Sequence, residues 1–214
     1  VISQWACELL MMTNVYNIDY MNDQINKAVN ILNRGGIVIF PTDTAFGIGC
    51  RIDDEKAAER LFKLRKRPEN KATPVLVSGI EMASRYWQEV PNLVLEELIK
   101  PYWPGALTIV LPCNTGLVPS LVRGGGNTLG LRMPAQDSLL QIIEYVGVPI
   151  LGTSANFAGE QTPYKFEDLD SELIKLVDYV LPGECTVKSA STVIDCSVKP
   201  WEILRQGAVE ISIK

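Results

Sequence analysis

Between Asn22 and Gly49 an amphipathic helix, a glycine stop, a wholly apolar strand and a polar loop follow one another almost without a spare residue. No other stretch restricts the fold as much. Ile25, Ala28, Val29 and Leu32 recur at i, i+3, i+4 and i+7, the spacing of one helix face, and Gly35-Gly36 ends that helix. Ile37-Val-Ile-Phe40 then carries no polar residue before Pro41, as expected of a strand covered on both faces. A strand of that kind lies inside a sheet with other elements packed on it. It feeds the polar loop Pro41-Thr-Asp-Thr-Ala-Phe-Gly-Ile-Gly49, a first candidate for a site.

The rest of the chain repeats these ingredients. Asp53-Asp54-Glu55 open a second helix with a stripe of Ala57, Ala58, Leu61 and Phe62, and the cations from Lys63 to Arg67 suit its C-terminal dipole before Pro68. Pro74 to Val77 reads as a strand, Ser78-x-x-Glu81 as a capping box for a short helix, and Pro91 to Lys100 as helical. Short apolar or β-branched strands are expected at Leu107 to Leu111, Leu129 to Arg132, Ile150-Leu151, Tyr179 to Leu181, Thr192 to Ile194 and Glu202 to Leu204. Helices are expected at Asp137 to Val146 and Glu172 to Val177. The two kinds interleave without a regular βαβ repeat, which points to an α/β fold with a mixed, twisted sheet and flanking helices. We read a single domain over residues 21–214. Residues 1–20 read as an extension ahead of it, in part upstream sequence, since the chain does not begin with Met.

Several classes of function are disfavoured. The 214 residues contain no histidine, which excludes Ser-His-Asp and Cys-His catalysis and removes the commonest transition-metal ligand. Five cysteines, an odd number with no C-x-x-C pair, argue against a disulfide framework or zinc ribbon and for a reducing, cytoplasmic setting. The apolar runs are strand-sized, far below the roughly 20 residues that cross a bilayer. A net charge of −5 supplies no general attraction to nucleic acid.

Four groups of residues could carry chemistry, each with a plainer alternative. Thr42-Asp43-Thr44 would let a ligand approach the end of a buried strand, or would only make a turn. Lys63-Leu-Arg65-Lys66-Arg67 places four cations in five residues, able to neutralise phosphate or simply to cap a solvated helix end. Arg123-Gly-Gly-Gly-Asn-Thr128 is neither a P-loop nor a dinucleotide fingerprint, and reads equally as a flexible loop. Gly152-Thr-Ser-Ala-Asn156 again sets hydroxyl and amide groups at a strand end, or makes a turn.

The order PTDTAFGIG, LRKRP, TLGLRMP, GTSAN, STVID, EILRQG is more specific than any member of it. From about Asn22 to about Gly207 the chain resembles the YrdC/YciO family, which includes threonylcarbamoyl-AMP synthases, in its short single-domain form. The resemblance implies a twisted α/β fold with a large open cavity. There threonine, bicarbonate and ATP would give threonylcarbamoyl-AMP and pyrophosphate, a nucleotidyl transfer on the way to tRNA threonylcarbamoyladenosine. The family's basic K-x-R element falls on Arg65-Lys66-Arg67, with Arg65 where lysine is usual, and its Ser-x-Asn element on Ser154-Ala155-Asn156. The implied catalytic set is Arg65, Arg67, Ser154 and Asn156. Threonine recognition falls on Thr44, Arg132, Ser154 and Ser191, and ATP on Arg67, Thr128, Asn156 and Arg205. Lys71 and Ser78 stand near two further ATP positions, and Thr162-Pro163-Tyr164 replaces the S-P-T of many relatives.

Magnesium is expected with the polyphosphate, with Asp43 the nearest acid or the nucleotide alone holding it. The implied partner is the transferase complex that modifies tRNA. Two other readings stay open: a YciO-type member acting on another substrate, and a module for double-stranded RNA or tRNA.

Overall fold

A computed structural model describes residues 22–211. The expected N-terminal extension, and the ends of the expected domain at residues 21 and 212–214, lie outside them. Helix α1 covers residues 22–33 and buries Ile25, Ala28 and Leu32. It leads into β1 (Val38–Phe40), whose three side chains are all buried. Strand β2 (Gly47–Gly49) runs back antiparallel to β1. Helix α2 (Glu55–Leu64) starts on Asp54, whose carboxylate accepts the Ala57 N–H at 2.9 Å, and buries the expected Ala57, Ala58, Leu61 and Phe62.

The remaining elements, in order, are β3 (Val75–Leu76), α3 (Ile80–Tyr86), α4 (Asn92–Val94), α5 (Lys100–Tyr102), β4 (Leu107–Pro112), β5 (Thr128–Arg132), α6 (Asp137–Val146), β6 (Ile150–Leu151), β7 (Thr153–Ser154), α7 (Ser171–Leu176), β8 (Tyr179–Val180), β9 (Thr192–Asp195) and β10 (Glu202–Arg205). Between α4 and α5 the turn widens to a π-helix over Leu95–Ile99. Pro101 accounts for it, having no N–H to donate and a ring that would press on the carbonyl four residues back.

The α/β architecture of mixed strands and flanking helices is the one the sequence predicts, in a more divided form. The strands form two mixed sheets instead of one: four strands in the order β7-β2-β1-β8, and six in the order β10-β9-β4-β5-β3-β6. One segment belongs to both. Residues 150–151 pair with β3, and the Leu151 N–H also reaches Cys50 O at 2.8 Å, while residues 153–154 pair with β2. Gly152 stands at the crossing, where a Cβ would lie 2.3 Å from the Leu76 side chain; on Gly49 it would lie 1.7 Å from Leu151 O. The Leu76 side chain at one glycine and the Leu151 backbone at the other leave no room for a larger residue.

The expected capping box does not form. Helix α3 starts on Gly79 with no side-chain cap, because the Ser78 hydroxyl donates instead to Glu144 of α6 at 2.6 Å. Phe40, Phe46, Leu61, Leu107 and Ile39 sit in a single core that runs through both sheets and their helices. Among the described residues no helix is long and apolar enough to cross a membrane, and all four cysteines are buried free thiols.

Candidate functional site

Period-two alternation along three strands turns one face of the six-stranded sheet into the floor of a cavity of about 410 Å³. Thr128, Gly130 and Arg132 rise from β5, Thr108 and Val110 from β4, and Ser191, Val193 and Asp195 from β9 and the residue before it. The loop after β1, the 152–154 crossing, Arg67 and Arg205 stand around it.

At one end lies the loop after β1. The Thr42 hydroxyl accepts the N–H groups of Thr44 and Ala45, both at 3.1 Å, and donates to Ala45 O at 2.7 Å, so Thr42 holds the turn and Thr44 faces the cavity. Arg132 reaches in from β5. Its Nη1 donates to Thr44 Oγ1 at 2.7 Å, its Nε to Gly105 O at 2.9 Å, and its Nη2 pairs with the Asp43 carboxylate. Burial pushes the Arg132 guanidinium below its usual range, and the charge of Asp43 opposes that push. With three of five N–H donors engaged, two remain for a ligand. Nearby, Arg205 donates to Ser191 O and Ser191 Oγ, both at 2.9 Å, and the same hydroxyl lies 3.0 Å from Thr108 Oγ1.

The basic cluster at the end of α2 sends three consecutive side chains in three directions. The Lys66 N–H bonds to Lys63 O and the Arg67 N–H to Phe62 O, at 3.1 and 2.9 Å, the paired bonds of a Schellman turn. Lys66 occupies its left-handed position at a φ of 52°, where glycine is usual. The reversal turns Arg65 inward, lays the Lys66 ammonium 5.3 Å from the Phe157 ring centre, and brings Arg67 to the cavity. Arg65 is 2% exposed and spends its fork on neutral acceptors: Asn156 O and Asn156 Oδ1 at 2.9 Å, Thr153 Oγ1 at 2.6 Å and, more weakly, Ser154 Oγ at 3.4 Å. Burial, and to a lesser degree the charge of Arg67, push its guanidinium down to about 10. Arg67 donates to Ala72 O at 2.6 Å, but its buried Nε has no partner. No carboxylate pairs with Arg65 or Arg67 among the described residues.

Of the residues expected from sequence, Thr44, Arg67, Thr128, Arg132, Ser154, Ser191 and Arg205 line this one cavity. Arg65 and Asn156 stand behind its wall, Asn156 bridging Ser154 Oγ at 2.6 Å and Glu160 O at 2.6 Å. Lys71 is exposed, and Ser78 is bound to α6. Tyr164 lies off the lining, though its neighbour Thr162 is on it. The residues do not form a magnesium site: Asp43 Oδ1 is taken by Arg132 and the Ala135 N–H, and no three Asp, Glu or Cys side chains converge among the described residues. Sequence reasoning gave no role to Asp195, which extending the alternation from Ser191 would have found, nor to Thr108, which stands across from Val193 through strand pairing the sequence does not show.

Comparison with known proteins agrees with this picture. The sequence model of the Sua5/YciO/YrdC family, described as telomere recombination, matches residues 30–207. A protein of Pyrococcus abyssi named threonylcarbamoyl-AMP synthase is 32% identical over 203 residues, covering 94% of this chain and 59% of that relative. The crystal structure of P. abyssi Sua5 complexed with L-threonine superposes with a TM-score of 0.79 at 32% identity, over 86% of this chain and 54% of that one. The Escherichia coli YciO crystal structure gives 0.77 at 28% identity, over 86% and 88%. The chain thus spans little more than half of these P. abyssi proteins, and most of YciO. A family match of that extent over the residues that build this cavity makes the chain a member of the Sua5/YciO/YrdC family.

Proposed function

We propose that the cavity makes threonylcarbamoyl-AMP from L-threonine, bicarbonate or carbon dioxide, and ATP, with release of pyrophosphate. The observation that carries the reading is Arg67, whose buried Nε lacks an acceptor and whose charge lacks an anion in a cavity that also holds Arg132 with two donors to spare. An unsatisfied buried donor costs about 1–3 kcal/mol, which a phosphate oxygen would relieve. The synthase name of the P. abyssi relative and the threonine bound in its structure support the same reading.

The chemistry needs no histidine. The threonine nitrogen adds to carbon dioxide and loses a proton, giving a carbamate. A carbamate oxygen then attacks the α-phosphorus, and the bond to the β-phosphate oxygen breaks as pyrophosphate leaves. In this reading Arg132, Thr44, Ser154 and Ser191 hold the amino acid, with the guanidinium on its carboxylate, while Arg67, Thr128 and Arg205 hold the nucleotide. Arg65 and Asn156 position the Ser154 loop from behind. The protein contributes placement and a preset positive field where charge develops. Magnesium would arrive with the nucleotide. The product is labile and would pass in the cytoplasm to a tRNA-modifying transferase.

A second reading, a YciO-type enzyme with another substrate, is favoured by Arg65 where the family usually has lysine, and by an E. coli YciO superposition (0.77) nearly as good as that on P. abyssi Sua5 (0.79). A double-stranded RNA or tRNA module has only a chain of net charge −5 to work with. The test is pyrophosphate release from ATP with bicarbonate, comparing threonine, serine, valine and no amino acid. The synthase reading expects release that needs both threonine and bicarbonate, and its loss in Arg67→Ala with the melting temperature kept. ATP binding without threonine-dependent release would move the assignment to the YciO-type reading.

A further inference from the structure

We propose that Asp195 reads the nucleoside half of the nucleotide, through a hydrogen bond from a base amine or a ribose hydroxyl to its free carboxylate oxygen. The assignment rests on the proposed use of ATP and names the part of the cavity where the nucleoside lies.

Asp195 ends β9 and lines the cavity floor, partly buried. Its Oδ1 is fixed, accepting the Ser197 N–H at 2.8 Å and the Ser197 hydroxyl at 2.6 Å. That tight turn holds the carboxyl in place, and Oδ2 has no protein partner among the described residues. An ionised carboxylate oxygen is an acceptor only, so it needs a donor. No cation pairs with it among the described residues, although Arg67, Arg132 and Arg205 all reach this cavity.

Position along the sheet decides which part of a nucleotide can meet it. Ser191 and Asp195 lie on the same face of one strand, four residues apart, about 13 Å at about 3.3 Å per residue. Register places Val110 across from Asp195 on one side and from Gly130 on the other, with Val193 one step back on the same face. This stretch of floor is apolar, and Leu204, 57% exposed, stands at its edge. A polyphosphate would be repelled by the carboxylate, and of the donors beside it the Arg205 guanidinium turns back to Ser191, leaving the Thr128 hydroxyl. A planar base over Val110, Gly130 and Val193 suits the surface, with its sugar or amine donating to Oδ2.

The experiment is equilibrium binding to the full chain of ATP, of its analogues lacking the 6-amine, the 2′-hydroxyl or the 3′-hydroxyl, and of inorganic tripolyphosphate. Each is measured on the wild-type chain and on Asp195→Asn, which keeps the Oδ1 acceptor for Ser197 and replaces the free oxygen with a donor. ATP affinity should fall roughly ten- to a hundredfold, the worth of a hydrogen bond to a charged group, and tripolyphosphate affinity should not fall. One analogue should bind the wild-type chain weakly and lose nothing further in the variant, which identifies the donor. Equal ATP affinity in both proteins overturns the inference, as does a loss seen only with magnesium present. Should Asp195→Asn melt early, Leu204→Ala tests the same half: ATP weaker, tripolyphosphate unchanged, with equal weakening of both overturning it. A wild-type chain that binds no ATP removes the proposed function itself, a different result from ATP binding that ignores Asp195.

Discussion

Two arginines are buried beside the same cavity, and their partners differ in kind. Arg132 meets a carboxylate, that of Asp43, while Arg65 meets only amide, carbonyl and hydroxyl oxygens. The first charge is neutralised locally and its guanidinium serves as a shaped set of donors. The second is not neutralised, and with Arg67 beside it the Ser154 side of the cavity keeps a net positive field. A charge inside a protein is costly unless something compensates it, so a pair of uncompensated cations is a standing demand for an anion. The contrast divides the cavity into an end that recognises by geometry and an end that attracts by charge.

The sharpest way to break the contrast is to make Arg132 resemble Arg65. Asp43→Ala leaves a buried, unpaired guanidinium and should lower stability by about 3–5 kcal/mol, measured by urea denaturation. Adding Arg132→Met should recover much of that loss; additive losses in the double variant would mean that the two residues are not coupled.

At the other end, Arg65→Lys keeps the charge and removes the fork. We expect a stability loss of about 1 kcal/mol, from hydrogen bonds an ammonium cannot replace. Threonine-dependent turnover should fall roughly tenfold while ATP affinity changes little, because the Ser154 loop shifts and the field stays. A weakened ATP affinity with turnover per bound nucleotide intact would instead make Arg65 a direct ligand. The smallest effect is at the turn between them. Lys66→Gly removes the strain of a left-handed lysine, worth roughly 1 kcal/mol, and also the contact with Phe157, worth roughly 0.5 kcal/mol. The net should be a stabilisation of about 0.5 kcal/mol with unchanged turnover.

Much of the fold was legible because local pattern and burial coincide. The stripe Ala57, Ala58, Leu61, Phe62 and the run Val38–Phe40 are buried as their spacing predicts. Long-range pairing left weaker traces. Nothing near Gly152 in the sequence says that its strand changes sheets, since the reason is the approach of Leu76 from another strand. Ser78 shows the same limit: three residues ahead of Glu81 it looks like a cap, and only tertiary contact brings Glu144 to claim its hydroxyl. For the site, motif order collected seven residues that share one cavity, but direction was beyond it. That Arg65 and Arg67, two apart, point to opposite sides of a wall depends on one left-handed residue between them.

The segment common to both sheets has a consequence for how the molecule comes apart. Because residues 150–154 run through β6 and β7 in succession, with Gly152 alone between them, an edge strand lost from one sheet pulls directly on the edge strand of the other. The hydroxyls of Thr153 and Ser154 are therefore carried by the seam of a single cooperative unit, and their amides should exchange only when the whole domain opens. A ligand held there grips both sheets at once, so its binding energy would appear undivided in the global stability of the chain.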